Sequence, residues 1–289
     1  MPLVVILGLG SALIFGAADF LGGLAAKRMN AVLVTATVAL VGLLALLIVL
    51  PVFGGVWSWQ AVLFGSLSGV AGAIAIVLLY ASLAIGPMSI LSPLTAVVSA
   101  IVPLTVGLAT GDQLGPLGYL ALGIALVAVV LVGFVPEKGA VRPSLKGLLM
   151  ATGSGIAIGA FLILIDATPD DSGLVPLVAN RAANSALMFA IVGLLALIAA
   201  RKGQAFTPRA GLRTGLLLAT AGGVIDAVAN ALLLVGVRLG ELSVIAVLSA
   251  LYPAGTIILA AIVLRERIAP VQYVGLVLAI AAAALLAVA

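Results

Sequence analysis

Residues 69–89, GVAGAIAIVLLYASLAIGPMS, and residues 223–243, GVIDAVANALLLVGVRLGELS, are two versions of one text. The overlay runs on without a gap to residues 125 and 279 at a constant offset of 154. Fifteen of 57 positions are identical, among them Gly86 with Gly240, Ser89 with Ser243, Pro116 with Pro270 and Tyr119 with Tyr273. Upstream, Gly10-Ser11 and Gly16-Ala17 recur as Gly153-Ser154 and Gly159-Ala160, and VGLLAL at 41–46 recurs at 192–197. Duplication of a whole multi-helix half marks transporters, whose solute site lies between two related copies.

The chain has 289 residues, 65% hydrophobic and 8% charged, with a mean hydropathy of +1.44. A water-soluble fold needs far more charge to cover its surface, so lipid is the solvent and apolar runs of ~20 residues become spanning helices. Ten such runs lie at about 3–26, 31–53, 59–84, 87–110, 116–135, 147–167, 173–200, 214–237, 240–264 and 269–288. None alternates polar with apolar as a barrel strand must, which excludes a β-barrel. The first run lacks a basic leader and its Gly-Ser and Gly-Ala pairs recur in the sixth, so it reads as a span and not a cleaved signal. The expected fold is an all-α integral membrane protein. Its ten transmembrane helices form two five-helix repeats, residues 1–136 and 147–289, joined by a linker at 137–146.

Eleven of the thirteen basic residues fall in odd-numbered connections: Lys27, Arg28, Lys138, Arg142, Lys146, Arg201, Lys202, Arg209, Arg213, Arg265 and Arg267. Arg238 alone lies in an even one, and Arg181 lies inside a span. The positive-inside bias then places odd connections in the cytoplasm and both termini outside, in a multi-pass protein of the bacterial inner membrane. Because five spans is an odd number, the second repeat enters the membrane inverted.

Cysteine and histidine are both absent. No thiolate, Ser–His dyad or usual metal ligand exists, so neither a catalytic residue nor a metal or other cofactor is expected. No Walker A pattern is present, which excludes ATP hydrolysis by this chain. The net charge of +4 is explained by membrane orientation, without nucleic acid.

Phe15-Gly16 with Phe20 in the first segment, the turn from Leu264 to Pro270 with Gln272 and Gly275 beyond it, and Pro253 in the ninth segment together resemble the EamA-type branch of the drug/metabolite transporter superfamily, over nearly the whole chain. Phe15-Gly16 followed by Phe20 is similar to the aromatic-Gly pair of that family's opening helix, with Phe for the usual Trp. Leu264-Arg265-Glu266-Arg267-Ile268-Ala269-Pro270, with Gln272 and Gly275 beyond, resembles its Gly-Glu-x-x-x-Pro turn, with Arg265 in place of Gly. Gly111-Asp112-Gln113-Leu114-Gly115-Pro116 is a looser copy in the first half. Pro253 sits 13 residues before Glu266 as the family's mid-helix Pro does, and Ser99 takes the equivalent place in the first half. The resemblance implies ten spans in two EamA repeats and transport of small metabolites, amino acids among them.

Polar groups within lipid mark candidate sites. In the seventh segment Asn180 and Asn184 share one face and Arg181 shares the adjoining one with Ser185. Arg181 falls ~10 Å inside the boundary at 1.5 Å per residue, at a depth comparable to Asp226 in the eighth segment, with Asn230 one turn beyond. Arg181 and Asp226 can form a closed structural pair. They can equally hold the carboxylate and ammonium of an amino acid. Tyr80, Ser99 and Tyr252 add uncharged hydrogen-bonding groups to the expected binding set. Asp19 and Asp166 are candidates for gating or coupling, and Pro93 and Pro253 for kinks in moving helices.

The function expected is secondary transport of small metabolites, amino acids or related amphipathic compounds, by alternating access, with the two halves rocking about a midplane cavity. An intramembrane enzyme or a non-transporting partner subunit is the alternative. Lipid and a small-molecule substrate are the expected partners, and a monomer or weak homodimer the expected state. A reporter active only in the cytoplasm, fused after Ala289, is expected to stay silent; a bright signal overturns the charge-derived orientation.

Overall fold

The structure, a computed structural model, describes residues 2–85, 88–134, 143–203, 205–206, 211–265 and 267–288. It includes the side chains there except those of Tyr80, residues 83–85, Met88, Ser89 and Ser92. Among the described residues every long element is a helix, and ten spans are long and apolar enough to cross a membrane. They are α1 (Pro2–Ala26), α2 (Ala31–Phe53), α3 (Trp59–Ile85), α4 (Met88–Thr110), α5 (Pro116–Gly133), α6 (Leu145–Asp166), α7 (Val175–Arg201), α8 (Leu212–Leu239), the ninth span in two pieces, α9 (Leu242–Ser249) and α10 (Tyr252–Val263), and α11 (Pro270–Val288).

Local chemistry sets the ends. Asn30 caps α2 by accepting from the Val32 amide, and Ser144 caps α6 by accepting from the Gly147 amide. Prolines open α5, α7 and α10, where their missing N–H would have had no partner. In the ninth span this corrects the expectation of one kinked helix. Pro253 starts a new helix after a break at Ala250-Leu251, because a proline has no N–H to bond the carbonyl four residues back, that of Ser249, and its ring crowds it. Pro93 and Pro103, by contrast, lie inside a continuous α4.

Eight spans close into a ring in the order α1, α8, α2, α7, α3, α6, α4, α9/α10 and back to α1, with the α5–α11 pair packed outside against α4 and the ninth span. Neighbours around this ring come alternately from the first and second halves of the sequence. Each major contact also has a counterpart in which both members shift by five spans: α1 on α8 matches α6 on α3, and α2 on α8 matches α7 on α3. Residues 2–134 and 145–288 are therefore interleaved, not side by side. Rocking one half rigidly against the other would break every interface of the ring.

Glycines allow the close approaches. A Cβ on Gly16 would lie 2.4 Å from the Tyr252 carbonyl oxygen and 2.6 Å from Gly255 Cα; its repeat mate Gly159 meets Val102 and Pro103 of α4 in the same way. Lipid takes up the remaining apolar surface, as at Val52, 82% exposed, and Ile280, 70% exposed.

The even connections gather on one face. The Val56 amide donates to the Asp171 carbonyl (3.0 Å) and the Leu174 amide to the Gly54 carbonyl (3.3 Å). Arg238 donates to Ser172 Oγ (2.9 Å) and the Pro169 carbonyl (3.3 Å). At the other end Asn30 donates to the Phe206 carbonyl (3.5 Å), joining the first and seventh connections. This is the arrangement ten successive crossings require.

Gly16→Ala is expected to cost about 1–3 kcal/mol through overpacking against rigid backbone, read as a lower unfolding temperature in detergent. Gly193→Ala, where nothing lies within 4 Å of the added Cβ, should leave that temperature unchanged.

Candidate functional site

The ring encloses a cavity of ≈ 220 Å³ lined by α1, α3, α4, α6, α7, α8, α9 and α10. One side is polar: Asp19 from α1, Asn180, Arg181 and Asn184 from α7, Asp226 and Asn230 from α8. The other is apolar, with Phe15, Ile76, Leu79, Ile158, Phe161 and Leu162, and is edged by Ser99, Ser249 and Tyr252.

Arg181, 8% exposed, forms an ion pair with Asp226 across the α7–α8 side. Its stem runs past α2: a Cβ on Gly42 would be in ordinary contact with it, 3.5 Å from Arg181 Cδ and 3.4 Å from the Gly223 carbonyl. The echo VGLLAL thus includes a residue beside the buried cation. Asn230 donates to the Asp226 carbonyl (2.8 Å) and its amide also reaches the Asp226 carboxylate. Asn184 lies against Gly72, and its Oδ1, like Arg181 Nε, is buried without a hydrogen-bond partner. Buried polar atoms left so are costly unless a ligand meets them.

Asn180 has a different task. Its Nδ2 donates to Ser68 Oγ (2.7 Å), and the Gly65 and Gly69 surfaces of α3 admit the backbone of α7 at Pro176 and Asn180. It positions the helix that carries Arg181. Ser99 and Ser249 donate to carbonyls of their own helices (2.8 and 3.1 Å) and present the remaining hydroxyl surface. Asp19 is exposed, and the surface it exposes is that of the cavity, within electrostatic reach of Asp226.

Three candidates fall elsewhere. Asp166 ends α6 in an exposed position, near Asp112 and Asp170 and away from the cavity, because α6 has reached the membrane surface there. Pro93 packs against Gly133 of α5, a helix contact outside the lining. Pro253 sits beside the cavity residue Tyr252 and ends the α9 segment. The Tyr80 side chain and Glu266 lie outside the described residues.

Sequence reading missed a contact that ties α4 to the ninth span on the even face. Asp112 Oδ2 accepts from both the Ser243 amide (2.8 Å) and Ser243 Oγ (2.6 Å), so the end of α4 caps the start of α9. Gly107 leaves the space, since a Cβ there would stand 2.3 Å from that oxygen. Glu241 joins by a side-chain hydrogen bond to Asp112. Burial pushes the Asp112 carboxyl up, but hydrogen bonds from Glu241 and from the side chain and amide of Ser243 outweigh it and hold it below its ordinary value. The bond to Asp112, then burial and repulsion by Asp112, push Glu241 up to about 7. The two acids are therefore placed to share one proton. The available signal was the recurrence of Ser89 as Ser243, which nothing local connected with Asp112.

The model of the EamA-like transporter family matches residues 145–288. No curated protein matches the sequence. A solved structure, described only as the crystal structure of a protein, shares the fold with a TM-score of 0.73 and 17% identity, over 98% of this chain and 97% of its own.

Because Glu241 binds its proton more tightly when folded, its contribution is complete below its ordinary 4.5 and is lost as pH rises through about 7. The wild-type unfolding temperature should therefore fall relative to Glu241→Gln between pH 6 and 8. Parallel curves would remove the shared proton.

Proposed function

We propose, from the premise that this chain belongs to the EamA-like transporter family and moves small solutes across a membrane, that it carries amino acids or related amphipathic compounds. The observation that carries this reading is the Arg181–Asp226 pair on the side of the cavity, with the unpartnered Asn184 Oδ1 one turn away. A buried Arg offers a planar donor fork to a carboxylate, and the Asp offers an acceptor to an ammonium. A zwitterion can thus replace the internal ion pair group for group, with no net charge added to a site where charge is expensive. The wall of Phe15, Ile76 and Phe161 receives an apolar side chain.

Access alternates through rearrangement of the ring and not through rocking of separate halves. The paired contacts between spans support an inverted repeat, and the hydrogen-bonded even connections support a state closed on that face. With the odd connections in the cytoplasm of a bacterial inner membrane, that state receives solute from inside, which suits export or exchange by a monomer or weak homodimer.

Counterflow of labelled amino acids into proteoliposomes tests the reading. Arg181→Ala should lower uptake about 10- to 100-fold, the worth of a charged hydrogen bond. Breaking one partner of a buried pair also destabilises by about 3–5 kcal/mol, whereas replacing both with apolar residues restores stability. The double variant Arg181→Met with Asp226→Leu should therefore fold well and still fail to transport. Wild-type flux in it would make the pair purely structural.

A further inference from the structure

The cavity holds one carboxylate more than it holds cations. Among the described lining residues Arg181 is the cation, and Asp19 and Asp226 are the acids. Helices α1 and α8 pack antiparallel, as three contacts fix: Gly10 on Leu232, Gly222 on Ala18 and Leu21, and Gly215 on Met29 and Arg28. This register sets Asp19 level with residue 224, within one turn of Asp226. Asp226 is taken by Arg181, and no ion pair to Asp19 occurs among the described residues.

Among the described residues, the elements packed around Asp19 bring no second cation to the cavity. Helix α8 presents Asp226 to Asp19, α7 presents Arg181 across the cavity, and α10 presents Tyr252. Helices α2 and α9 contain no charged residue, and α11 carries only the exposed Tyr273 among titratable groups. Lys27 and Arg28 lie two turns further on, where Arg28 packs on Gly211 and Gly215. With all three groups ionised, a largely apolar chamber inside the membrane would carry a net negative charge, which such an environment strongly disfavours.

We propose that Asp19 is a one-charge exchange site, protonated when the cavity is empty or holds a zwitterion, and releasing that proton when a primary ammonium cation binds. The step is Asp19–COOH plus R–NH3⁺ giving the Asp19 carboxylate paired with R–NH3⁺ and one proton in water. Only the O–H bond breaks, and the proton leaves by the open side. The cavity is neutral before and after, so exchange of one amine cation for one proton moves no net charge across the membrane. The inference rests on the cavity being the solute site, and it extends the substrate class from zwitterions to monocationic amines. Its rule is one proton displaced for each net positive charge on the solute.

The test uses the full-length protein in detergent, titrated calorimetrically with 2-phenylethylammonium and with phenylalanine in two buffers of different ionisation enthalpy. About one proton should be released per amine bound and none per phenylalanine, and Asp19→Asn should abolish the release while Asp19→Glu keeps it. In proteoliposomes a pH gradient should drive amine uptake and a potassium diffusion potential should leave it unchanged. Amine binding without proton release, release that persists in Asp19→Asn, absence of amine binding, or uptake driven by the potential would each overturn the proposal. Should Asp19→Asn fail to fold, the wild-type two-buffer measurement and Asp19→Glu still decide. If no solute is carried at all but protons are released on binding, the transport reading fails and the exchange site stands.

Discussion

Inside hydrocarbon a helix gains nothing by turning leucine from lipid toward leucine, so this bundle is held where backbones touch. Gly16 on the Tyr252–Thr256 backbone, Gly69 on Asn180, Gly155 on Thr95 and Gly275 on Val132 are such places, and a Cβ at any of them would lie under 3.0 Å from backbone atoms. These contacts join helices from opposite halves of the sequence. They hold the alternating order of the ring, and the ring surrounds the cavity.

That interior makes the polar groups tolerable. Arg181 and Asp226 neutralise one another, Asn230 braces Asp226, and Asn180 is tied to Ser68. Neighbouring residues of one helix have different surroundings: Asn180 holds α7 against α3 through Ser68, and Arg181 and Asn184 line the cavity. Asp19 stands apart because α1 brings it to the lumen with no ion pair among the described residues.

The interleaving also constrains movement. A ring in which each helix sits between two from the other half cannot separate into two bodies, but it can change where local geometry is already broken. The break at Ala250-Leu251 lies between cavity residues Ser249 and Tyr252, while Asp112 grips the start of α9 at the membrane surface. The ninth span thus links the even face to the cavity through a helix that is not continuous. The EamA family features beyond the cavity have structural duties. Gln272 caps α11 at the Ala269 amide and donates to the Val132 carbonyl, and Gly275 lets α11 approach α5.

The sequence by itself determined the ten crossings, the duplication, and the comparable depth of Arg181 and Asp226, because hydropathy, offset and helical rise are properties of local segments and fix depth in the membrane. It did not reveal that Asp166 lies outside the cavity, that Asn180 is engaged by Ser68, or that Asp112 caps α9. Depth alone leaves the rotation of each helix and the identity of its neighbours open. Those were decided by the glycine contacts, which join residues more than fifty positions apart and act only once the ring has closed.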